Sequence, residues 1–170
     1  KNYKILIKKN KNLKNLKMFN IGLGVEKKEI DFTDHYETQS STITKINRNS
    51  KYFKKKNFFL NPLNNKKQMN LTKIQIDRMD NIFDKLDIGK VDILKIDTEG
   101  YDFNVIKGLG ERIKNVQFIY FEHHFHDMLE KNYTLSDINN YLIKKNFKKV
   151  FKAKMKFRKT FEYIYFNKSH

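Results

Sequence analysis

The stretch VDILKIDTEGYDFNVIKG, Val91 to Gly108, constrains the fold more than any other part of the chain. Its apolar run, Val91, Ile93, Leu94 and Ile96, is short and rich in β-branched residues, which predicts a buried strand. Phe103, Val105 and Ile106 then resume at helical spacing after Gly100. Between strand and helix lies a carboxylate turn, Asp97, Thr98 and Glu99, and Gly100 lets the backbone turn without a Cβ clash. In an open α/β sheet, ligands sit beyond the carboxyl ends of the strands, so Asp97 and Glu99 fall where chemistry would be placed. The structural alternative for Asp97 is a carboxylate that caps the following helix through backbone N–H groups.

The rest of the chain arranges itself around this unit. Lys1 to Lys17 reads as the end of an amphipathic helix followed by a polar connection, and MFNIGLG, Met18 to Gly24, as a short strand ended by a turn. KEIDFTDHY alternates Ile30, Phe32 and Tyr36 with polar residues, as a strand does. Residues 38–70 are polar, repetitive and broken by Pro62, which predicts a loop or an insertion. Ile74 and Ile76 alternate as a strand, and Met79, Ile82, Phe83 and Leu86 follow a helical spacing. VQFIYFEHH, Val116 to His124, is almost continuously apolar, as in a strand buried on both faces, which favours a parallel sheet. Thr134 or Ser136 caps a helix through Ile138, Tyr141, Leu142 and Ile143, and two alternating runs around Arg158 and Lys159 form an antiparallel hairpin at the sheet edge. The order predicts one α/β domain over 1–170 with a mostly parallel sheet.

Lys and Arg total 36 against 19 Asp and Glu, a net charge of +17. Such a balance attracts nucleic acid or acidic glycans. The excess is nearly all lysine, however, and comes with abundant Asn, Ile, Phe and Tyr, residue types that share A/T-rich codons; a biased genome accounts for it without a ligand. No recognition helix or RNA-binding aromatic motif accompanies the charge, so nucleic acid is not the expected partner. The absence of cysteine excludes a disulfide framework and a thiolate metal site. No window has the roughly 18 apolar residues of a membrane span, so the expectation is a soluble, cytoplasmic protein.

ILKIDTEGYDFNVIKG, followed by a strand ending FEHH, resembles the C-terminal half of the FkbM-type methyltransferases. That family's pattern of Lys-Ile-Asp-x-Glu-Gly-x-Asp/Glu, a later Lys-Gly and a strand ending in Glu is filled by Lys95, Ile96, Asp97, Glu99, Gly100, Asp102, Lys107, Gly108 and Glu122. IQIDRMDNIF resembles the family's segment before this strand, and Ser40-Ser41 a serine pair often found after the family's third strand. The resemblance implies a Rossmann-like class I methyltransferase fold that uses S-adenosylmethionine to methylate a hydroxyl of a sugar or secondary metabolite, with a small molecule or glycan as acceptor. The family's glycine-rich turn after strand one and acidic residue after strand two have no counterpart in this sequence. That departure leads to the expectation of a domain lacking its N-terminal strands, with MFNIGLG as strand three and an open edge on VDILKID. It also leaves open a non-catalytic remnant of the fold, alongside the charge-based reading of a basic nucleic-acid-binding module.

Within that frame the catalytic candidates are Asp97, Glu99 and His123. Glu122 and His124 are candidates for binding substrate. On topology, Gly24, Val25 and Glu26 fall where related enzymes surround the adenine of the cofactor. Asp97 and Glu122 are the candidate ligands of a Mg²⁺ ion, a cation that prefers oxygen. His123, His124 and His126 invite a metal reading that their spacing does not support: on a strand His123 and His124 point to opposite faces, so only one of them faces a common pocket.

Overall fold

The structure, a computed structural model, describes residues 2–34, 42–60, 70–156 and 158–170. Ser40, Ser41, Tyr36 and Pro62, singled out above, lie outside the described residues. In chain order the elements are α1 (Asn2–Lys9), β1 (Gly22–Gly24), β2 (Lys28–Asp34), α2 (Lys51–Leu60), β3 (Asn70–Arg78), α3 (Met79–Lys85), β4 (Val91–Ile96), α4 (Asp102–Lys107), β5 (Val116–His124), α5 (Leu135–Lys144), β6 (Phe147–Lys154) and β7 (Thr160–Asn167). A 3-10 turn, Gly110–Asn115, joins α4 to β5.

These strands make two sheets, one in the order β1-β3-β2 and one in the order β4-β5-β7-β6. Among the described strands only β1 with β3 and β4 with β5 run parallel; β2 with β3, β5 with β7 and β6 with β7 are antiparallel. The expected mostly parallel sheet is thus corrected to a mixed one. The apolar run of β5 reflects burial, and burial does not set the direction of a neighbour: β5 has parallel β4 on one side and antiparallel β7 on the other. The predicted hairpin is present, with β6 at the edge and β7 inside. Among the described strands β4 pairs with β5 alone, and Ile93 on it is 67% exposed.

Two further expectations shift. The strand predicted over MFNIGLG contracts to three residues, with Phe19 and Ile21 exposed. The stretch read as loop contains α2, a ten-residue helix whose exposed Phe58 and Phe59 break any clean apolar stripe.

The core lies between the second sheet and helices α3, α4 and α5. Phe83, Ile106, Leu109, Ile119, Ile138 and Leu142 meet there, and Phe121 stacks against Tyr163 and Tyr165 at 5.7 and 5.8 Å. Each fully buried Leu or Ile contributes about 1.5–3 kcal/mol. On α5 the apolar pair Ile138 and Leu142 lies one turn apart and faces inward. Thr134 starts that helix with a capping box: its hydroxyl accepts from the Asp137 N–H at 3.3 Å, and the Asp137 carboxylate accepts from the Thr134 N–H at 2.7 Å. Among the described residues no helix is long and apolar enough to cross a membrane.

Candidate active site

The loop after β4 reverses because two successive residues take left-handed backbone, Glu99 at φ 48° and Gly100 at φ 92°. Glycine adopts this freely, whereas a glutamate there costs about 1–3 kcal/mol and needs its surroundings to hold it. The Thr42 hydroxyl donates to the Glu99 carbonyl at 2.8 Å, and the Tyr133 hydroxyl donates to the Gly100 carbonyl at 2.9 Å. From inside the loop, Asp102 accepts from the N–H and hydroxyl of Thr98 at 3.1 and 2.9 Å. The loop-closing carboxylate is therefore Asp102, buried at 1% exposure, and not Asp97. Asp97 stands half-exposed at the end of β4, with Lys95 Nζ 3.9 Å away.

The left-handed turn aims Glu99 at the end of β5. Its Oε2 lies 3.5 Å from His124 Nε2. Although this is ion-pair distance, the two groups are not an ion pair below pH 7. Burial pushes the Glu99 carboxyl up to about 7, with Asp97 and Glu122 adding to the shift and Lys56 and Arg158 opposing it. Burial also holds His124 down to about 3, helped by His126 and Lys131. A neutral acid therefore faces a neutral imidazole, and His124 Nδ1 is 3.0 Å from Thr160 Oγ1. Glu122, two residues before His124 on β5, is buried, and burial followed by the charge of Asp97 raises its carboxyl above the ordinary value. Asp97, Glu99 and Glu122 thus form one acidic corner.

His123 and His124 do point into different surroundings. His123 meets Lys131 Nζ at 3.4 Å from its Nε2 and sits edge-on to Phe125; burial lowers it to about 4. It is not in the Glu99 cluster. His126 is: its ring lies 5.1 Å from that of His124 and stacks on Tyr52 at 4.2 Å. Lys131, half-buried with its ammonium lowered to about 8 by desolvation, donates to the His124 carbonyl and so pins the end of β5. Tyr52, Thr42, Lys131 and Tyr133 were not legible as site residues, since they come from segments without periodicity or motif. The bridging Mg²⁺ finds no support: among the described residues no group of three or more His, Asp or Glu is placed to hold a metal ion.

Gly24, Val25 and Glu26 lie across the loop, beside Tyr101. A Cβ on Gly24 would press on Ile76 and the Tyr101 ring at 3.0 and 3.3 Å. The Val25 carbonyl accepts from Arg78 at 3.0 Å, and a Cβ on Gly108 would collide with the Gly24 carbonyl, so both carbonyls are turned to protein. Glu26 is exposed, 2.5 Å from Lys28, and both are in electrostatic reach of the Tyr101 hydroxyl. The Glu26 carboxylate suits ribose hydroxyls and the Tyr101 ring a purine, whereas the space at Gly24 is already filled by Ile76 and Tyr101. Tyr101 directly follows the Glu99-Gly100 motif, which was the signal that could have flagged it.

Fold and site together define a mixed α/β protein with a buried acid–imidazole cluster at the carboxyl ends of two adjacent parallel strands. Residues 1–150 match the family model described as the Methyltransferase FkbM domain, and the chain belongs to that family. Membership brings methyl transfer in general as its class of activity. No curated protein and no solved structure matches the chain.

Proposed function

We propose that this is a Rossmann-like methyltransferase domain whose site methylates a hydroxyl of a small molecule or glycan. The single observation that carries the reading is Glu99, a carboxyl raised to about 7 by burial and set beside His124 at the strand ends of a methyltransferase-family chain. S-adenosylmethionine, when bound, supplies an electrophilic methyl on a sulfonium sulfur. Glu26 and Tyr101 are the residues that would hold it, through ribose hydroxyls and the purine face.

An alcohol attacks a methyl group well only as its proton leaves. Asp97, half-exposed at the end of β4, orients the hydroxyl and accepts that proton; a positioned base contributes roughly 10²–10⁴-fold. Glu99 takes the proton onward once ionised, while the His124 ring beside it, held down to about 3, stays neutral. Glu122 supplies negative charge to the acidic corner and favours the departing proton. Burial of the three histidines and of Glu122 keeps water from this end of β5.

A second reading, a remnant that keeps the fold without holding cofactor, is favoured by one observation: the space at Gly24 is filled by Ile76 and Tyr101, and the Val25 carbonyl accepts from Arg78. Calorimetry separates the two. Titration with S-adenosylmethionine gives saturable heat that Glu26→Ala weakens if the enzyme reading holds, and no heat if the remnant reading does.

A further inference from the structure

Phe58 and Phe59 on α2 are 74% and 69% exposed, the two barest large apolar side chains among the described residues. A single exposed apolar residue is ordinary, but these two touch, with ring centroids 5.7 Å apart. Lys51, Lys54 and Lys55, all exposed, precede them at steps of three and four residues, so the five side chains share one outward stripe, ammoniums first and phenyls after. We propose that this stripe docks on an anionic lipid bilayer, with the phenyls entering the acyl boundary and the lysines lying on the headgroups.

The helix is held so that it presents that face. Ser50 caps it, its hydroxyl accepting from the Phe53 N–H at 3.0 Å, and the Asp127 carboxylate accepts from the Lys51 N–H at 3.3 Å. Tyr52, off the stripe, stacks on His126 at 4.2 Å, and the chain before the helix is tied down by the Asn47 N–H, which donates to the Met128 carbonyl at 2.8 Å. Rolling the phenyls inward would break that stack. Docking through α2 therefore holds the end of β5 near the bilayer.

Charge and ring geometry select the partner. Residues 38–76 hold nine Lys and Arg and no Asp or Glu, although the chain has 19 acidic residues. Codon bias raises the number of lysines but does not clear acids from one segment. Single-stranded nucleic acid also combines phosphate with stacking, yet the two rings meet at 81°, whereas successive bases stack on parallel faces. An acyl phase sets no ring direction and takes both. Lysine suits the same surface, because its carbon stem lies along apolar groups while its ammonium reaches phosphate. On α1, Ile5, Leu6 and Ile7 are exposed too, but consecutive residues turn by about 100° each and make no stripe.

The test is sedimentation of the full chain, at physiological salt, with vesicles of equal parts phosphatidylglycerol and phosphatidylcholine and with vesicles of phosphatidylcholine alone. Binding to the anionic vesicles only is the expected result. Phe58→Ala with Phe59→Ala should weaken it by about tenfold or more, since two phenyls no longer leave water, with the Tm unchanged. Lys51→Gln, Lys54→Gln and Lys55→Gln together should weaken it by roughly a hundredfold, about fivefold for each lysine. The chain has no tryptophan, so Phe58→Trp is a single emitter, and its emission should shift to the blue on the anionic vesicles. No sedimentation, equal sedimentation with both vesicles, or an unshifted emission overturns the proposal. So does vesicle binding that is unchanged without the two phenyls but lost in Ile5→Gln with Leu6→Gln, and so does an oligouridylate that displaces the protein from the vesicles and needs the same phenyls. No methyl donor is present, so every outcome leaves the methyltransferase reading where it stands.

Discussion

Glu99 Oε2 stands 3.5 Å from His124 Nε2, joining the turn after β4 to the last residue of β5. Neither is a surface charge: both are held neutral by burial below pH 7, so the pair is governed by desolvation and not by Coulomb attraction. That relationship makes stability and proton uptake at the site depend on pH in a definite direction.

In the unfolded chain Glu99 ionises as pH passes its ordinary value of 4.5, whereas the folded protein keeps the proton until about 7. Burial of Glu99 therefore costs nothing below pH 4.5, costs progressively more between 4.5 and 7, and reaches a constant penalty above. Glu99→Gln, which can donate an N–H to His124, should raise the Tm at pH 8 and leave it unchanged at pH 4. Thermal melts by far-ultraviolet circular dichroism at the two pH values check this; a lower Tm at pH 8 would mean that the carboxylate is the stabilised form.

The histidines push the other way. His123, His124 and His126 are lowered to about 4, 3 and 4 from 6.5, so the unfolded state takes up protons as pH falls below 6.5 while the folded state refuses them. Each one removes stability progressively as pH drops from 6.5 towards 4. Acid unfolding should set in within that window, and His126→Phe should move its midpoint to lower pH. The chain has nine tyrosines and no tryptophan, so near-ultraviolet dichroism of the tyrosines is the signal to follow.

Asp102 is buried and satisfies Thr98 twice. Its removal leaves a buried N–H and hydroxyl without an acceptor, at about 1–3 kcal/mol. Asp102→Ala should lose stability of that order in urea unfolding, and Asp102→Asn, whose amide oxygen still accepts, less than half as much.

Gly108 packs its bare α-carbon on the Gly24 carbonyl, so Gly108→Ala sets a side chain against backbone that cannot rotate away. Overpacking of this kind costs about 1–3 kcal/mol. Gly89→Ala, with nothing within 4 Å of the new Cβ, is the control and should change little. Urea midpoints compare the two.

Much of this was legible from residues alone. Val91–Ile96 as a strand, the turn, the helix after it and β5 followed from local periodicity and from glycine, because those signals act over a few neighbouring residues; the burial expected of that strand did not follow, since β4 lies at the edge of the described sheet with only Ile96 buried. Thr134 as a cap is equally local. Strand direction was not local: the apolar run of β5 predicted parallel neighbours, and β7 pairs with it antiparallel. The helix α2 was hidden in a low-complexity stretch because its helical state owes little to an apolar stripe.

The sequence by itself determined which residues carry carboxylates and imidazoles and that Glu99 and His124 end neighbouring elements. Tertiary structure alone decided which of them meet and in what charge state. The left-handed turn at Glu99 and Gly100 swings one side chain onto His124, excludes His123, and leaves Asp97 to solvent while Asp102 closes the loop. Proton affinity follows burial, and burial is set by segments distant in the chain, such as the Thr42–Tyr52 stretch folded over the end of β5, which no reading of neighbouring residues could place.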